Sequence, residues 1–197
     1  MELIAPQLYT ADEYLALEEK SMERHEFVNG EIIPMAGETP DANEIASNLL
    51  VFFKLLLKGK PFKTYDHDVK LMIGTKKIFR YPDMMVVKQE GVDKKWVTHP
   101  VLIVEVLSES TEKIDREKKR VEYCSLATMQ YYLLVHQDEP CVEVFRRNGK
   151  KWEFEFYTSL TDFIELPFFE TKVTLEEIYE GITFDHNSTT HETPTRS

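Results

Sequence analysis

Glycine is scarce in this chain, 7 of 197 residues, and no glycine-rich run of the kind that cradles a nucleotide phosphate is present. Cysteine is scarcer still. Cys124 and Cys141 stand far apart without the spacing of metal ligands, and the 6 histidines show no such spacing either. A secreted domain of this length usually carries more cysteine, so the two read as reduced thiols in a cytoplasmic protein. No serine or cysteine nucleophile motif occurs. The opening Met1-Glu-Leu-Ile-Ala-Pro-Gln7 lacks the basic flank and apolar run of a signal peptide, and no stretch approaches the ~18 apolar residues of a membrane span. A cytoplasmic protein without a membrane segment is expected. Positive charge is also short: 24 Lys and Arg face 35 Asp and Glu, a net charge of −11, which weighs against a nucleic-acid partner. The deficit is uneven. Residues 1–50 hold 2 basic and 11 acidic side chains, whereas residues 51–100 hold 11 and 5. That leaves room for a basic face in the middle of the chain, with lysines scattered for solubility as the bland alternative.

What is present is enough apolar sequence, 42% of residues, for one domain with a sizeable core. That domain is expected over residues 1–184, followed by a Thr-, Ser- and His-rich tail, 185–197, expected to be disordered. Thr10-Ala-Asp-Glu13 has capping-box spacing and opens a short helix. Asn29-Gly30 between two β-rich runs predicts a hairpin. Ile45, Leu49, Leu50, Phe53 and Leu57 fall at helical spacing. Strands are expected at 62–65, 69–73, 82–87 and 101–107. A helix over 108–125, capped by Ser110 or Thr111, follows. A meander at 130–135, 142–147 and 152–157 turns at Asn148-Gly149, and a short helix at 175–180 is closed by Gly181. The order of elements predicts an α/β fold: one mixed sheet, helices on its faces and an antiparallel meander toward the C-terminus.

Two carboxylates interrupt apolar strands. In 101–107, alternation puts Val101, Ile103, Glu105 and Leu107 on one face and Leu102, Val104 and Val106 on the other, leaving Glu105 the one polar group. Asp83 shares a face with Met85 and Val87. A lone buried carboxylate costs several kcal/mol, so each calls for a cation, a proton or a water channel. If the strands pair as antiparallel neighbours, Asp83 early in one lies beside Glu105 late in the other. Converging carboxylates suit Mg²⁺, and the metal can serve phosphodiester hydrolysis. The bland alternative is an exposed Asp83 and a lysine-paired Glu105.

Pro82-Asp83 followed by Glu105-Val106-Leu107 resembles the PD-(D/E)xK signature of restriction-endonuclease-like nucleases. More closely, the chain is similar to the Uma-type family of bacterial endonucleases, through Glu26-Phe-Val-Asn-Gly-Glu31, Tyr81-Pro-Asp-Met-Met-Val-Val87, Val104-Glu-Val-Leu-Ser-Glu-Ser-Thr111, Asp115-Arg-Glu-Lys-Lys119, Tyr131-Tyr-Leu-Leu-Val135 and Leu175-Glu-Glu-Ile-Tyr-Glu-Gly181. These cover roughly residues 10–182 in the family's order. The resemblance implies a restriction-endonuclease-like sheet core, a Mg²⁺ site that Mn²⁺ can also fill at Asp83, Glu105 and Val106, and DNA as substrate. It also suggests a catalytic role for Glu31. Two departures stand out. Leu107 sits where the signature has lysine, and Ala42 or Asn43 sits where the family commonly has histidine.

The missing cation must come from elsewhere, and the helix after the strand offers Lys118 and Lys119. Asp115, Lys119 and Tyr123 make one stripe and Ile114, Val121 and Cys124 another, on roughly the opposite side. Lys118 borders the apolar stripe. The family's Asp…Lys…Tyr spacing selects Lys119 as the catalytic lysine. The expected function is a Mg²⁺-dependent DNA endonuclease, a homodimer if it cuts both strands. A degenerate nuclease fold acting as a binding or assembly module is the alternative, and a hydrolase of smaller phosphate esters a weaker third.

Overall fold

A computed structural model describes residues 7–35, 37–108 and 112–184. The expected tail, Ser110 and Thr111 lie outside them. The Thr10 hydroxyl accepts from the Glu13 N–H and the Glu13 carboxylate accepts from the Thr10 N–H, closing the capping box of α1 (Ala11–Glu18). β1 (His25–Val28) and β2 (Glu31–Pro34) form the hairpin, with Asn29 and Gly30 at φ 51° and 103°, the left-handed region that this two-residue turn demands. α2 (Pro40–Leu56) starts with proline at its first turn and Thr39 as cap. β3 (Phe62–Asp66), β4 (Leu71–Ile73), β5 (Ile78–Arg80), β6 (Met84–Lys88) and β7 (Pro100–Leu107) follow.

The helix predicted after β7 is interrupted. α3 (Glu112–Ile114) runs into a π-helical turn, Asp115–Lys119, before α4 (Arg120–Cys124). In that turn the Arg120 N–H reaches back to the Asp115 carbonyl, which also accepts from the Tyr132 hydroxyl at 3.1 Å. Such single-turn insertions concentrate at functional sites. The meander β8 (Tyr131–His136), β9 (Val142–Asn148) and β10 (Lys151–Tyr157) comes next, then β11 (Phe163–Leu166), β12 (Thr171–Thr174) and α5 (Leu175–Ile178).

The architecture is mixed α/β, but the strands do not join into the one sheet that was expected. Six form a main sheet in the order β10-β9-β8-β7-β6-β3, with β7 and β8 parallel and the other neighbours antiparallel. A second sheet runs β2-β1-β5-β4, and β11 pairs with β12 alone. The separation follows from β5, a three-residue strand with no alternation to announce it, which pairs with β1 and β4 rather than β6. Every residue of β7 is buried. Leu102, Val104 and Val106 pack toward Ile45, Leu49 and Phe53 of α2, and Ile103 and Leu107 pack with Tyr123 and Tyr132 on the other face. Tyr14, Phe27 and Phe79 stack to seat α1 on the second sheet, so its β1 and β5 stand beside the start of β6.

Candidate active site

Met84 pairs with Val104, which places Asp83, one residue before β6, across from Glu105. Cross-strand side chains on one face of such a pair are close neighbours. Asp83 also takes over the end of the ladder: its Oδ2 accepts the Val106 N–H at 2.6 Å. Glu105 is 2% exposed and accepts from the Tyr123 hydroxyl at 2.8 Å. Lys119 Nζ stands 3.2 Å from Glu105, 2.8 Å from Asp115 and 4.0 Å from Glu26.

The helix carrying Lys119 turns its polar stripe inward. Asp115, Lys119 and Tyr123 are 1%, 8% and 0% exposed, whereas Ile114 and Val121 are 39% and 64% exposed. Lys118 is exposed. The stripe faces the sheet because Glu105 and Asp83 are there to receive it. Glu26 reaches the same place from β1. Buried Arg80 binds it through Nη1 and grips Glu122 with Nε and Nη2, both at 2.8 Å.

Glu26, Asp83, Glu105, Val106 and Lys119 border one cavity of about 750 Å³. Glu38 and Asp138 add acid to its wall, and Ile33, Pro34, Met35 and Ala42 make its apolar side. Of the two residues that could stand at the family's histidine position, Ala42 faces this cleft and Asn43 is exposed. Glu31 is exposed at the hairpin turn and is not brought to the cleft; the acid of that motif that reaches it is Glu26. Sequence reasoning passed over Glu26, because its partner Arg80 lies on β5, a strand too short to announce itself.

Burial pushes Asp83 up to about 7, against the pull of Lys119 and the Val106 N–H. Burial also lifts Glu105 well above the carboxylate range, with Lys119 pulling down and Asp83 and Asp115 pushing further up. Burial works to discharge Lys119, but Glu105, Glu26 and Asp115 outweigh it and hold the ammonium more firmly than in water. Burial raises Tyr123, and Glu105 adds to it, so the phenol remains a donor.

Four carboxylates, Glu26, Asp83, Glu105 and Asp115, thus surround one lysine, and two of them take up protons readily. A donor set made only of oxygens, with an open cavity for water beside it, suits a hard divalent cation such as Mg²⁺. Val106 would take part through its main-chain carbonyl, the one ligand atom it has. The residues present fit such an ion.

Comparison with known proteins places the chain in a family. The model of the family Uma2, described as "Putative restriction endonuclease", matches residues 11–176. The chain belongs to this family. Two relatives in Synechocystis sp. (strain ATCC 27184 / PCC 6803 / Kazusa) are named only as uncharacterized proteins. The protein sll1609 is 34% identical over 157 residues, 77% of this chain and 89% of the relative. The protein slr1290 is 30% identical over 176 residues, 88% and 92% of the two. Among solved structures, a crystal structure from Anabaena variabilis ATCC 29413, described as "a putative nuclease belonging to DUF820", superposes with a TM-score of 0.70 at 19% identity. It covers 87% of this chain and 97% of its own. At that identity the likeness speaks for the fold alone, a mixed α/β fold. No helix among the described residues is long and apolar enough to cross a membrane.

Proposed function

We propose that this Uma2 chain is a Mg²⁺-dependent endonuclease that hydrolyses DNA phosphodiester bonds in the cleft between β6, β7 and the π-turn. The observation that carries the reading is the meeting of Asp83 and Glu105 across adjacent strands with Lys119 Nζ 3.2 Å from Glu105 in one open cavity. Held by Asp83, Glu105 and the Val106 carbonyl, the ion, Mg²⁺ or Mn²⁺, would activate a water and neutralise charge on the phosphate. Lys119 supplies the cation that Leu107 cannot, placed to stabilise negative charge as it develops. Asp115 aims that ammonium, and the Tyr123 hydroxyl fixes one oxygen of Glu105. Glu26, clamped by Arg80, is a third carboxylate for the ion or its water. Glu31 has no part in this arrangement.

The lysine-rich middle of the chain supplies phosphate contacts. Cutting both strands calls for a symmetric dimer in the cytoplasm, for which Phe154 and Phe156, exposed on the edge strand β10, offer an apolar strip. One observation favours a second reading. Lys119 is ion-paired with Glu105 and Asp115 without a metal, as a binding module with a retired nuclease site would require. Supercoiled plasmid incubated with Mg²⁺ separates the two. Nicking by the protein and its loss in Asp83→Ala support the nuclease; an intact plasmid with well-folded protein leaves the binding module.

A further inference from the structure

We propose a second metal site, outside the cleft, in which His136, Glu139 and Cys141 at the β8–β9 turn hold a thiophilic divalent cation of the Zn²⁺ class. The sequence spacing, His136-x-x-Glu139-x-Cys141, matches no familiar ligand motif. It becomes a ligand set because a tight turn folds it back on itself. His136 N–H bonds the Cys141 carbonyl at 2.9 Å, and Cys141 N–H bonds the Glu139 carbonyl at 2.7 Å. The Tyr179 hydroxyl pins the base of the turn, 2.9 Å from the His136 carbonyl and 2.8 Å from that of Cys141.

The ligand atoms then lie within 4.8 Å of one another, and His136 Nδ1 is 3.7 Å from Glu139 Oε1. Zinc bonds of about 2.0–2.3 Å in tetrahedral geometry set ligand atoms roughly 3.3–3.6 Å apart, so small side-chain adjustments complete three corners. Water takes the fourth. One nitrogen, one oxygen and one sulfur suit Zn²⁺ and not Mg²⁺, which separates this site from the all-oxygen cleft.

An independent observation concerns the far side of the imidazole. His136 Nε2 lies 3.0 Å from Glu143 Oε1, and Arg116 holds that carboxylate. A carboxylate only accepts, so with its proton on Nε2 for Glu143 the ring turns a bare Nδ1 toward Glu139, the form a metal on that side requires. Arg116 Nη2 also lies 3.3 Å from Nε2, while its Nε donates to Glu112 and its Nη1 to Glu143, so a metal on Nδ1 selects the tautomer in which Nε2 donates to Glu143. An imidazole oriented by a carboxylate on its other nitrogen is the usual support of a metal-bound histidine. Binding releases the Cys141 thiol proton to solvent. The clip would also stiffen the wall of the cleft, because Gln137 and Asp138 lie inside the chelated turn and line that cavity.

The test is a titration of the full-length protein with Co²⁺ and then Zn²⁺, in excess Mg²⁺ to occupy the cleft. The expected result is one equivalent of Co²⁺ with a thiolate-to-cobalt charge-transfer band, displaced by Zn²⁺. The band should vanish in Cys141→Ser and persist in Cys124→Ser. Glu139→Gln, at an exposed position whose change leaves the fold intact, should weaken Zn²⁺ binding by about tenfold or more. No charge-transfer band, a band that survives Cys141→Ser, or unchanged Zn²⁺ affinity in Glu139→Gln would overturn the proposal. Because the cleft is read by other residues, none of these outcomes depends on whether the protein cuts DNA.

Discussion

Proton and metal should compete for the cleft, with a sign and size that follow from Asp83. Its folded pKa of about 7 stands above the ordinary 3.8, so between those values the folded protein binds more protons than the unfolded chain. Metal-free stability therefore falls as pH rises through that window. Three units at about 1.4 kcal/mol each set a ceiling near 4 kcal/mol. Asp83 keeps part of its surface open to the cleft, so screening by water brings the real figure below that. A divalent cation reverses the sign, because it binds the carboxylate and expels the proton. One pH unit below the pKa, a single displaced proton costs about tenfold in affinity, and the raised Glu105 adds to the slope. The assay is titration calorimetry with Mg²⁺ between about pH 6 and 8, in two buffers of different ionisation enthalpy to count the protons released. The expected outcome is a rise of one to two decades in affinity per pH unit in the lower half of that range, with melting temperatures that fall with pH in chelator and recover in Mg²⁺. Asp83→Asn should remove most of the slope. Mg²⁺ affinity that does not change with pH would refute the reasoning.

Two further outcomes are expected. Lys119→Ala strands Glu105 and Asp115 as buried acids, so it should abolish cleavage and cost about 3–5 kcal/mol in metal-free melting, while exposed Lys118→Ala should stay within about 0.5 kcal/mol of the parent and keep its activity. Loss of cleavage in Lys118→Ala alone would reverse the assignment. Lys54, Lys58, Lys60 and Lys63 border a hollow of about 500 Å³ at the Lys88 end of β6, the end away from Asp83. Non-specific DNA affinity should fall steeply with salt, by a log–log slope that shrinks by about one for each of these lysines reversed to glutamate; affinity flat with salt would rule out contact to a phosphate backbone.

Much of this was legible in the chain itself, and the reasons are local. A capping box at Thr10, a left-handed Asn29-Gly30 turn and the 3.6-residue rhythm of α2 each carry their own signal within a few residues. So does the polar interruption of β7 at Glu105. What stayed hidden depends on partners far away in sequence. β5 is too short to show a period and is held by β1 and β4. β11 and β12 pair only with each other, and their alternation is broken by Pro167 and Phe168. Glu26 and Glu31 look alike in sequence; the Arg80 clamp on Glu26 and the exposed turn at Glu31 distinguish them. The π-turn escaped because helical periodicity assumes a constant phase. His136, Glu139 and Cys141 follow no ligand spacing in sequence, and a hairpin, not a motif, brings them together.

The central claim is that the cleft holds a divalent ion on Asp83, Glu105 and Val106. Its most direct test is a crystal of the protein grown with Mn²⁺ and measured for anomalous scattering. The account predicts a peak in the cavity about 2.0–2.4 Å from a carboxylate oxygen of both Asp83 and Glu105 and from the Val106 carbonyl, with Lys119 beside it. An anomalous map with no peak between those two carboxylates, at saturating Mn²⁺ and a pH above 7, would contradict it.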